Sequence, residues 1–164
     1  MIVREESAGD IAEIRNVTEA AFQGADHSSG TEAAIIDALR SAGRLTLSLV
    51  AEADGRIVGH VAFSPVTIAG EDIGWSGLGP VSVLPQIQGK GIGGALIRNG
   101  LSRIRSEGWK GCVVVGDPAY YQRFGFAPEP GLVFEGVPPE YFMALTFAGP
   151  TPSGNVIYEP AFYP

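Results

Sequence analysis

The chain has 164 residues, of which 45% are apolar and 18% are charged. This composition excludes a disordered chain and predicts one globular domain spanning residues 1–164. The formal net charge is −7 and the 11 lysines and arginines are scattered, so we expect no nucleic-acid partner and no binding to a membrane. A charged N-terminal segment without an apolar stretch predicts a cytoplasmic location, and the single cysteine, Cys112, rules out an internal disulfide.

The first half of the chain predicts two helices followed by a strand hairpin. In chain order the expected elements are a strand at residues 2–4, helices over residues 11–22 and from residue 31 or 32 to residue 42, and strands over residues 45–53 and 56–64. Asp26 and His27 lie in the polar loop between the helices and, together with Glu32, could suggest a metal site. With two histidines and one cysteine in the whole chain, we predict no metal site.

A glycine-rich loop lies at the centre of the chain. It follows a β-branched run at residues 78–84 and has glycines at positions 89, 91, 93 and 94. The apolar residues Ile97, Leu101 and Ile104 then recur at the spacing of one helical face, with Gly108 as the expected C-terminal cap. Unpaired N–H groups and a positive dipole at the start of a helix attract anions, so the loop predicts a phosphate site.

Two nucleotide motifs compete for this loop. A mononucleotide P-loop is set aside, because Gly91 follows Lys90 where serine or threonine is required. The dinucleotide pattern Gly-x-Gly-x-x-Gly is met by Gly89, Gly91 and Gly94, which keeps a dinucleotide-dependent oxidoreductase as an alternative. Against it, Asp117 stands directly before Pro118, and this pair predicts a helix N-cap rather than a ribose contact.

The second half of the chain predicts a short apolar strand, a short helix and further strands. The expected ranges are a strand at residues 111–116, a helix at residues 117–123, and strands at residues 141–147 and 155–158. Through the central helix, residues 81–83 and 113–115 should be parallel neighbours in a right-handed βαβ unit. We therefore predict an α/β fold, with a mixed, mostly antiparallel sheet around a central parallel βαβ unit and flanking helices.

Two motifs resemble those of the GNAT N-acetyltransferase superfamily. Gln88, Gly91 and Gly93 fill the core of its acetyl-CoA signature, Gln-x-x-Gly-x-[Gly/Ala] preceded by Val-x-Pro, and residues 121–126 are similar to its Tyr-x-x-x-Gly-Phe motif. The strings at residues 116–121 and 154–162 resemble the YhbS-like branch of this superfamily. The resemblance implies a GNAT-like fold and direct transfer of an acetyl group from acetyl-CoA to an amine, without a metal.

The resemblance also implies the residues that bind the cosubstrate. Backbone groups of the strand and the loop should contact CoA, and the residues concerned are Val81, Val83, Gln88, Gly89, Lys90, Gly91, Ile92, Gly93 and Gly94. The acceptor would be an amine on a small molecule, a protein or a peptide. For the assembly, a homodimer is kept as an alternative to a monomer. For the function, a non-catalytic CoA-binding sensor that kept the fold and lost its acceptor site is kept as an alternative to the enzyme.

Three side chains are candidates for acid–base chemistry. Tyr121 is the candidate general acid, because the reference pKa values of a phenol and an alkyl thiol, roughly 10 and 8.5, are close enough for proton transfer to a CoA thiolate. Tyr120, beside it, is the weaker choice. Glu32, in the segment that shapes the acceptor pocket in this family, and His60, on a strand, are the candidate general bases. Cys112 opens an apolar strand and is expected in the core.

Overall fold

The computed structural model describes residues 1–25 and 28–163. Its strands are β1 (Ile2–Glu5), β2 (Leu47–Ala53), β3 (Arg56–Ile68), β4 (Glu71–Val83), β5 (Gly111–Val115), β6 (Ala127–Pro128), β7 (Leu132–Val133), β8 (Phe142–Thr146) and β9 (Gly154–Ile157). Its α-helices are α1 (Ile11–Phe22), α2 (Glu32–Ser41), α3 (Ile92–Ser106) and α4 (Pro118–Tyr121). No helix in the described part of the chain is long and apolar enough to cross a membrane.

The sheet is mixed and mostly antiparallel, in the spatial order β1-β2-β3-β4-β5-β8-β6. The parallel pairs are β4 with β5, and the short β7 with β9. β9 also pairs with the far end of β3, which brings the C-terminal segment back to the centre of the molecule. The predicted fold class is therefore confirmed, although β3 runs on through Pro65 to Ile68, beyond the predicted strand end at residue 64.

Helices cover both faces of the sheet because successive side chains of a strand point to opposite sides. Leu49 and Phe63 pack with the apolar face of α3, which includes Ile97. Val50 and Ala62, each one residue away along its strand, pack instead with α1 and α2. This alternation places one core cluster on each face of the sheet, and a third cluster, which includes Trp75 and Val156, forms where the C-terminal segment packs.

β4 and β5 are parallel neighbours over only part of their length. The paired residues are Trp75 with Gly111, Ser76 with Cys112, and Gly77 with Val113. The prediction that residues 81–83 lie beside residues 113–115 is therefore wrong in register. The reason is a bulge in β4, where Gly79 and Pro80 together face the single residue Ala62 of β3. The bulge bends β4 away from β5, and Pro80 has no N–H to donate across the gap.

Candidate active site

A cleft opens where β4 and β5 separate. Its volume is about 410 Å³, and it is lined by Val81, Val83, Ile87, Gln88, Gly89, Gly91, Ile92, Gly93, Gly94, Arg98, Tyr120, Tyr121, Arg123 and Phe124. The strand, loop and tyrosine that were singled out from the sequence thus meet at one place. Lys90 is the member of the predicted set that does not line the cleft. Its side chain is exposed.

The end of β4 presents backbone groups to this cleft. The Leu84 N–H donates to the Val58 carbonyl at 3.0 Å, and Val81 and Val83 stand opposite Val61 and Gly59 in the same antiparallel ladder. Hydrogen bonds alternate along such a ladder, so the N–H and C=O groups of Val81 and Val83 point away from β3, towards the cleft. The Gln88 amide donates to the Val83 carbonyl at 3.0 Å, which ties the loop to the strand.

The loop delivers unpaired N–H groups to the same cleft. Gly91 is the N-cap of α3 with φ +87°, a left-handed conformation that glycine adopts without strain. The first helical bond runs from the Ala95 N–H to the Gly91 carbonyl at 3.0 Å. The preceding N–H groups at residues 92–94 have no acceptor within the helix, and the helix dipole is positive there. A phosphate is the ligand class that this end of α3 favours.

Two arginines that the motifs do not predict add positive charge to the cleft. The Arg98 guanidinium lies 4.9 Å from the centre of the Phe124 ring, and that of Arg123 lies 4.7 Å from the centre of the Tyr120 ring. Stacking on an aromatic face holds each guanidinium in place. Arg98 is one helical turn after Gly94, so its position on α3 is the sequence signal that could have identified it.

A second cavity, also of about 410 Å³, adjoins the cleft. It is lined by Phe22, Glu32, Ile35, Leu78, Gly79, Pro80, Val81, Val115, Tyr121, Phe134, Tyr158, Phe162 and Tyr163. Val81 and Tyr121 line both spaces, so the two cavities meet at these residues. Gly77 helps to build the second one, since a side chain there would place its Cβ 2.6 Å from the Tyr158 ring.

Tyr121 is held at the junction by aromatic packing. Its ring lies over Gly116, where any side chain would collide with it, and it meets the Phe126 ring edge to face at 6.1 Å between centres. Burial raises the pKa of Tyr121 to about 12. The phenol therefore carries its proton at neutral pH, and it is a weaker acid than the free phenol, so its donation to a thiolate is more uphill than the reference pKa values suggest.

Glu32 reaches the second cavity from the first turn of α2. Its carboxylate accepts hydrogen bonds from the Ser28 hydroxyl at 2.7 Å and from the Ser29 hydroxyl at 3.1 Å. Burial alone would raise the pKa of Glu32, but these hydrogen bonds outweigh it and lower the pKa below its ordinary value. The group is thus an anion at neutral pH, better suited to holding a cation than to taking up a proton.

His60 lies away from both cavities. It is fully buried in β3, and its Nε2 is 2.7 Å from the Ser48 hydroxyl and 3.9 Å from the Glu6 carboxylate. Burial lowers the pKa of His60 to about 4. The structure gives this histidine a place in the core and none in the lining of either cavity.

The suggested metal ligands Asp26 and His27 lie outside the described residues. Within residues 1–25 and 28–163, no group of three His, Cys, Asp or Glu side chains is placed to hold a metal ion.

Cys112 is fully buried in the core beneath α3, and burial raises the pKa of its thiol. The thiol is therefore held in its un-ionised, poorly nucleophilic form.

The buried histidine predicts how stability depends on pH. The pKa of His60 falls from 6.5 to about 4 on folding. Between these two pH values the histidine is protonated in the unfolded chain and neutral in the folded protein. Stability should drop on acidification through this window, by about 2 kcal/mol between about pH 7.5 and about pH 5. Urea unfolding at both pH values measures it. In His60→Gln, which keeps the neighbours Glu6 and Arg40, this part of the drop should vanish; an unchanged drop would place its origin elsewhere.

Known families and structures match this architecture. The model of the family described as "Acetyltransferase (GNAT) domain" matches residues 3–128. The N-acetyltransferase named YhbS from Escherichia coli K12 is 39% identical over 127 residues, which cover 77% of this chain and 73% of that protein. The N-acetyltransferase named YjhQ from the same strain is 36% identical over 121 residues, covering 73% of this chain and 65% of its own length.

Two solved structures share nearly the whole fold. A GNAT family acetyltransferase from Brucella melitensis, crystallised with acetyl-CoA, is 53% identical with a TM-score of 0.89, covering 98% of this chain and 97% of that one. The E. coli YhbS structure, crystallised with CoA, is 33% identical with a TM-score of 0.91, covering 99% of this chain and 92% of that one. These matches confirm the resemblance to the superfamily and to its YhbS-like branch, and the chain belongs to the GNAT acetyltransferase family.

Proposed function

We propose that this protein transfers an acetyl group from acetyl-CoA directly to an amine. The observation that carries the proposal is the meeting of two cavities at Tyr121 and Val81. One cavity has the chemistry of a phosphate-bearing ligand, and the other adjoins it at the side chain of Tyr121, a protonated phenol. Such an arrangement suits a reaction in which a group passes from a phosphate-bearing donor on one side to an acceptor on the other.

Acetyl-CoA would occupy the cleft between β4 and β5. Its pyrophosphate would lie against the backbone N–H groups from Gln88 to Gly94, with Arg98 and Arg123 at its sides. Its amide-containing arm would pair with the outward-facing backbone groups of Val81 and Val83, as an added strand pairs with a sheet edge. That relatives from Brucella melitensis and E. coli were crystallised with acetyl-CoA and CoA supports acetyl-CoA as the ligand.

Transfer would then need one new bond and two proton movements. The amine nitrogen attacks the thioester carbonyl carbon, the C–S bond breaks, and the Tyr121 hydroxyl gives its proton to the departing thiolate. A backbone N–H of β4 would stabilise the carbonyl oxygen as charge builds on it. The proton lost by the amine would pass to water in the second cavity beside Glu32, the base candidate that lines this cavity as His60 does not, and the Tyr121 phenolate would regain a proton from solvent before the next turnover.

The two alternatives fit the structure less well. For a dinucleotide, Asp117 would have to reach the ribose, but its side chain caps α4 by accepting from the Ala119 N–H at 2.9 Å, as the Asp117-Pro118 pair predicts. For a sensor without catalysis, the acceptor side should be blocked, whereas the second cavity is as large as the first. We also propose that residues 1–164 act as one cytoplasmic domain, and the continuous sheet supports the single domain.

Labelled acetyl transfer tests the proposed function. With deuterium-labelled acetyl-CoA and an acceptor amine, mass spectrometry should find the label on the amine product, with thiol released in equal amount. The mass of the protein should stay unchanged, because direct transfer leaves no acetyl-enzyme. Thiol release that no amine accelerates, in a protein that binds acetyl-CoA, would favour the non-catalytic sensor.

A further inference from the structure

We propose that the acceptor is a primary amine carried on a compact aromatic or branched apolar body, bound in the second cavity with its ammonium group towards Glu32. This proposal rests on the proposed function and narrows its acceptor from any amine to one chemical class. It concerns the cavity that lies between α1, α2 and the C-terminal segment.

The walls of this cavity are mainly aromatic and aliphatic, and the described side chains among them that carry polar groups are Glu32, Tyr121, Tyr158 and Tyr163. Phe22 and Ile35 come from the two N-terminal helices, and Phe134, Tyr158 and Phe162 from the C-terminal segment. The last three rings pack against one another at 5.0 to 5.1 Å between centres, which makes a rigid wall. A flat ring or a branched alkyl group is the shape that such a wall binds best, since burying an apolar side chain of this size stabilises a complex strongly.

Charge limits what else the acceptor can carry. Among the described residues that line the cavity, Glu32 is the one charged side chain. Its carboxylate is fixed by Ser28 and Ser29, so it offers a preorganised partner for one ammonium group. An amino acid or a sugar phosphate would bring an anion beside Glu32 with no cation among the described lining residues to meet it, and a polyamine would bring a second ammonium where the described lining offers no second carboxylate.

The volume of the second cavity and the exposed apolar residues at its edge also favour a small apolar amine. A cavity of about 410 Å³ lies in the range that holds small molecules. At its edge Val115 and Tyr163 remain 39% and 52% exposed, and exposed apolar side chains grouped around a cavity mark a ligand surface. A lysine of a peptide would leave most of this apolar surface uncovered, and its backbone amides would meet walls with few partners for them.

The test compares amines that differ in the body attached to nitrogen. The labelled-acetyl assay is run with phenethylamine, tryptamine, ethanolamine, spermidine and a lysine peptide, and phenethylamine binding is also measured by calorimetry on the CoA-saturated protein. We expect kcat/KM for phenethylamine to exceed that for ethanolamine by about 10- to 100-fold, and each methylene in a short alkylamine series to contribute about fourfold.

Variants locate the effect. Phe22→Ala should raise KM for phenethylamine about tenfold, and Glu32→Gln should raise KM for all amines about tenfold or more through loss of a charged hydrogen bond. Both should leave the Kd for acetyl-CoA unchanged. Tyr141→Ala is the matched control, because Tyr141 is an exposed aromatic residue, 44% accessible, that lines neither cavity, and it should change nothing.

Each outcome separates the two proposals. Phenethylamine that binds and is acetylated preferentially supports both. Preferential turnover of spermidine or the lysine peptide would overturn the acceptor class while the transferase remains. Phenethylamine that binds to the wild type and not to Phe22→Ala, without turnover, would support the acceptor cavity and overturn the transferase. Neither binding nor turnover of the apolar amines would overturn the acceptor class.

Discussion

Tyr121→Phe is expected to lower kcat by about 10² to 10⁴, the usual contribution of a positioned general acid. The substitution removes the hydroxyl of a side chain that lines both cavities and keeps the ring that packs on Gly116 and Phe126. The fold and the Kd for acetyl-CoA should therefore be nearly unchanged, so the loss should appear in kcat. Steady-state kinetics with the best acceptor, together with calorimetry for acetyl-CoA, measure both quantities.

Tyr120→Phe is the matched control. The Tyr120 ring also lines the cleft, but Tyr120 is absent from the acceptor cavity, so its hydroxyl faces one ligand and not the junction. Its loss should reduce kcat much less than the loss of the Tyr121 hydroxyl. If Tyr121→Phe kept full activity with a true acceptor, Tyr121 would be a packing residue and the thiolate would take its proton from water or another group.

Gly93→Asp is expected to weaken acetyl-CoA binding by about 10²-fold or more, since placing like charges together costs several kcal/mol and each 1.4 kcal/mol is tenfold. Gly93 lies in the first turn of α3, where a carboxylate would stand in the place proposed for the pyrophosphate. Gly91→Asp should weaken binding too, but Gly91 has φ +87°, so backbone strain would add to the effect of charge. A substitution at Gly93 therefore reports the effect of charge more directly than one at Gly91.

Gly93→Ala separates charge from bulk. Its Cβ would lie 3.2 Å from the Tyr120 hydroxyl and 3.7 Å from the Val83 side chain, a contact that a small shift of the tyrosine relieves. Calorimetry should show a much smaller loss for alanine than for aspartate, with circular dichroism confirming that both proteins are folded. Equal affinity of Gly93→Asp and the wild type would place the pyrophosphate elsewhere.

Features that depend on neighbouring residues could be predicted from the sequence. Apolar spacing correctly predicted α1, α2 and α3, since a helix buries one face. The Asp117-Pro118 pair correctly predicted the start of α4, because both its cap and its first residue follow from local backbone chemistry. The glycine-rich start of α3, with its unpaired N–H groups, was predictable for the same reason.

Pairing between distant segments was predicted less well. The parallel pairing of β4 with β5 follows from the βαβ order, but its register depends on a bulge at Gly79 and Pro80 that no alternating pattern reveals. Of the residues that line the second cavity, the sequence singled out Glu32, Val81 and Tyr121. The other wall of this cavity comes from the C-terminal segment, which reaches it because β9 pairs with β3, a contact that side-chain patterns do not encode.

For His60, the sequence predicted the strand but not the residues that surround the side chain. Its place on a strand was predictable, but its surroundings were not, because Ser48 and Glu6 reach it from β2 and from the segment after β1. A histidine that faces a cleft and one that faces a core have the same pattern in the sequence. The three-dimensional contacts decide between them, and here they favour the core.

The most direct test of the central claim is ligand-dependent thermal stability. A ligand that binds the folded protein at 100 times its Kd stabilises it by about 2.7 kcal/mol, which for a chain of this size raises Tm by about 5 °C or more. Acetyl-CoA should give this shift, whereas NADH and ATP at the same concentration should not. A shift with NADH and none with acetyl-CoA would contradict the assignment of the glycine loop to CoA.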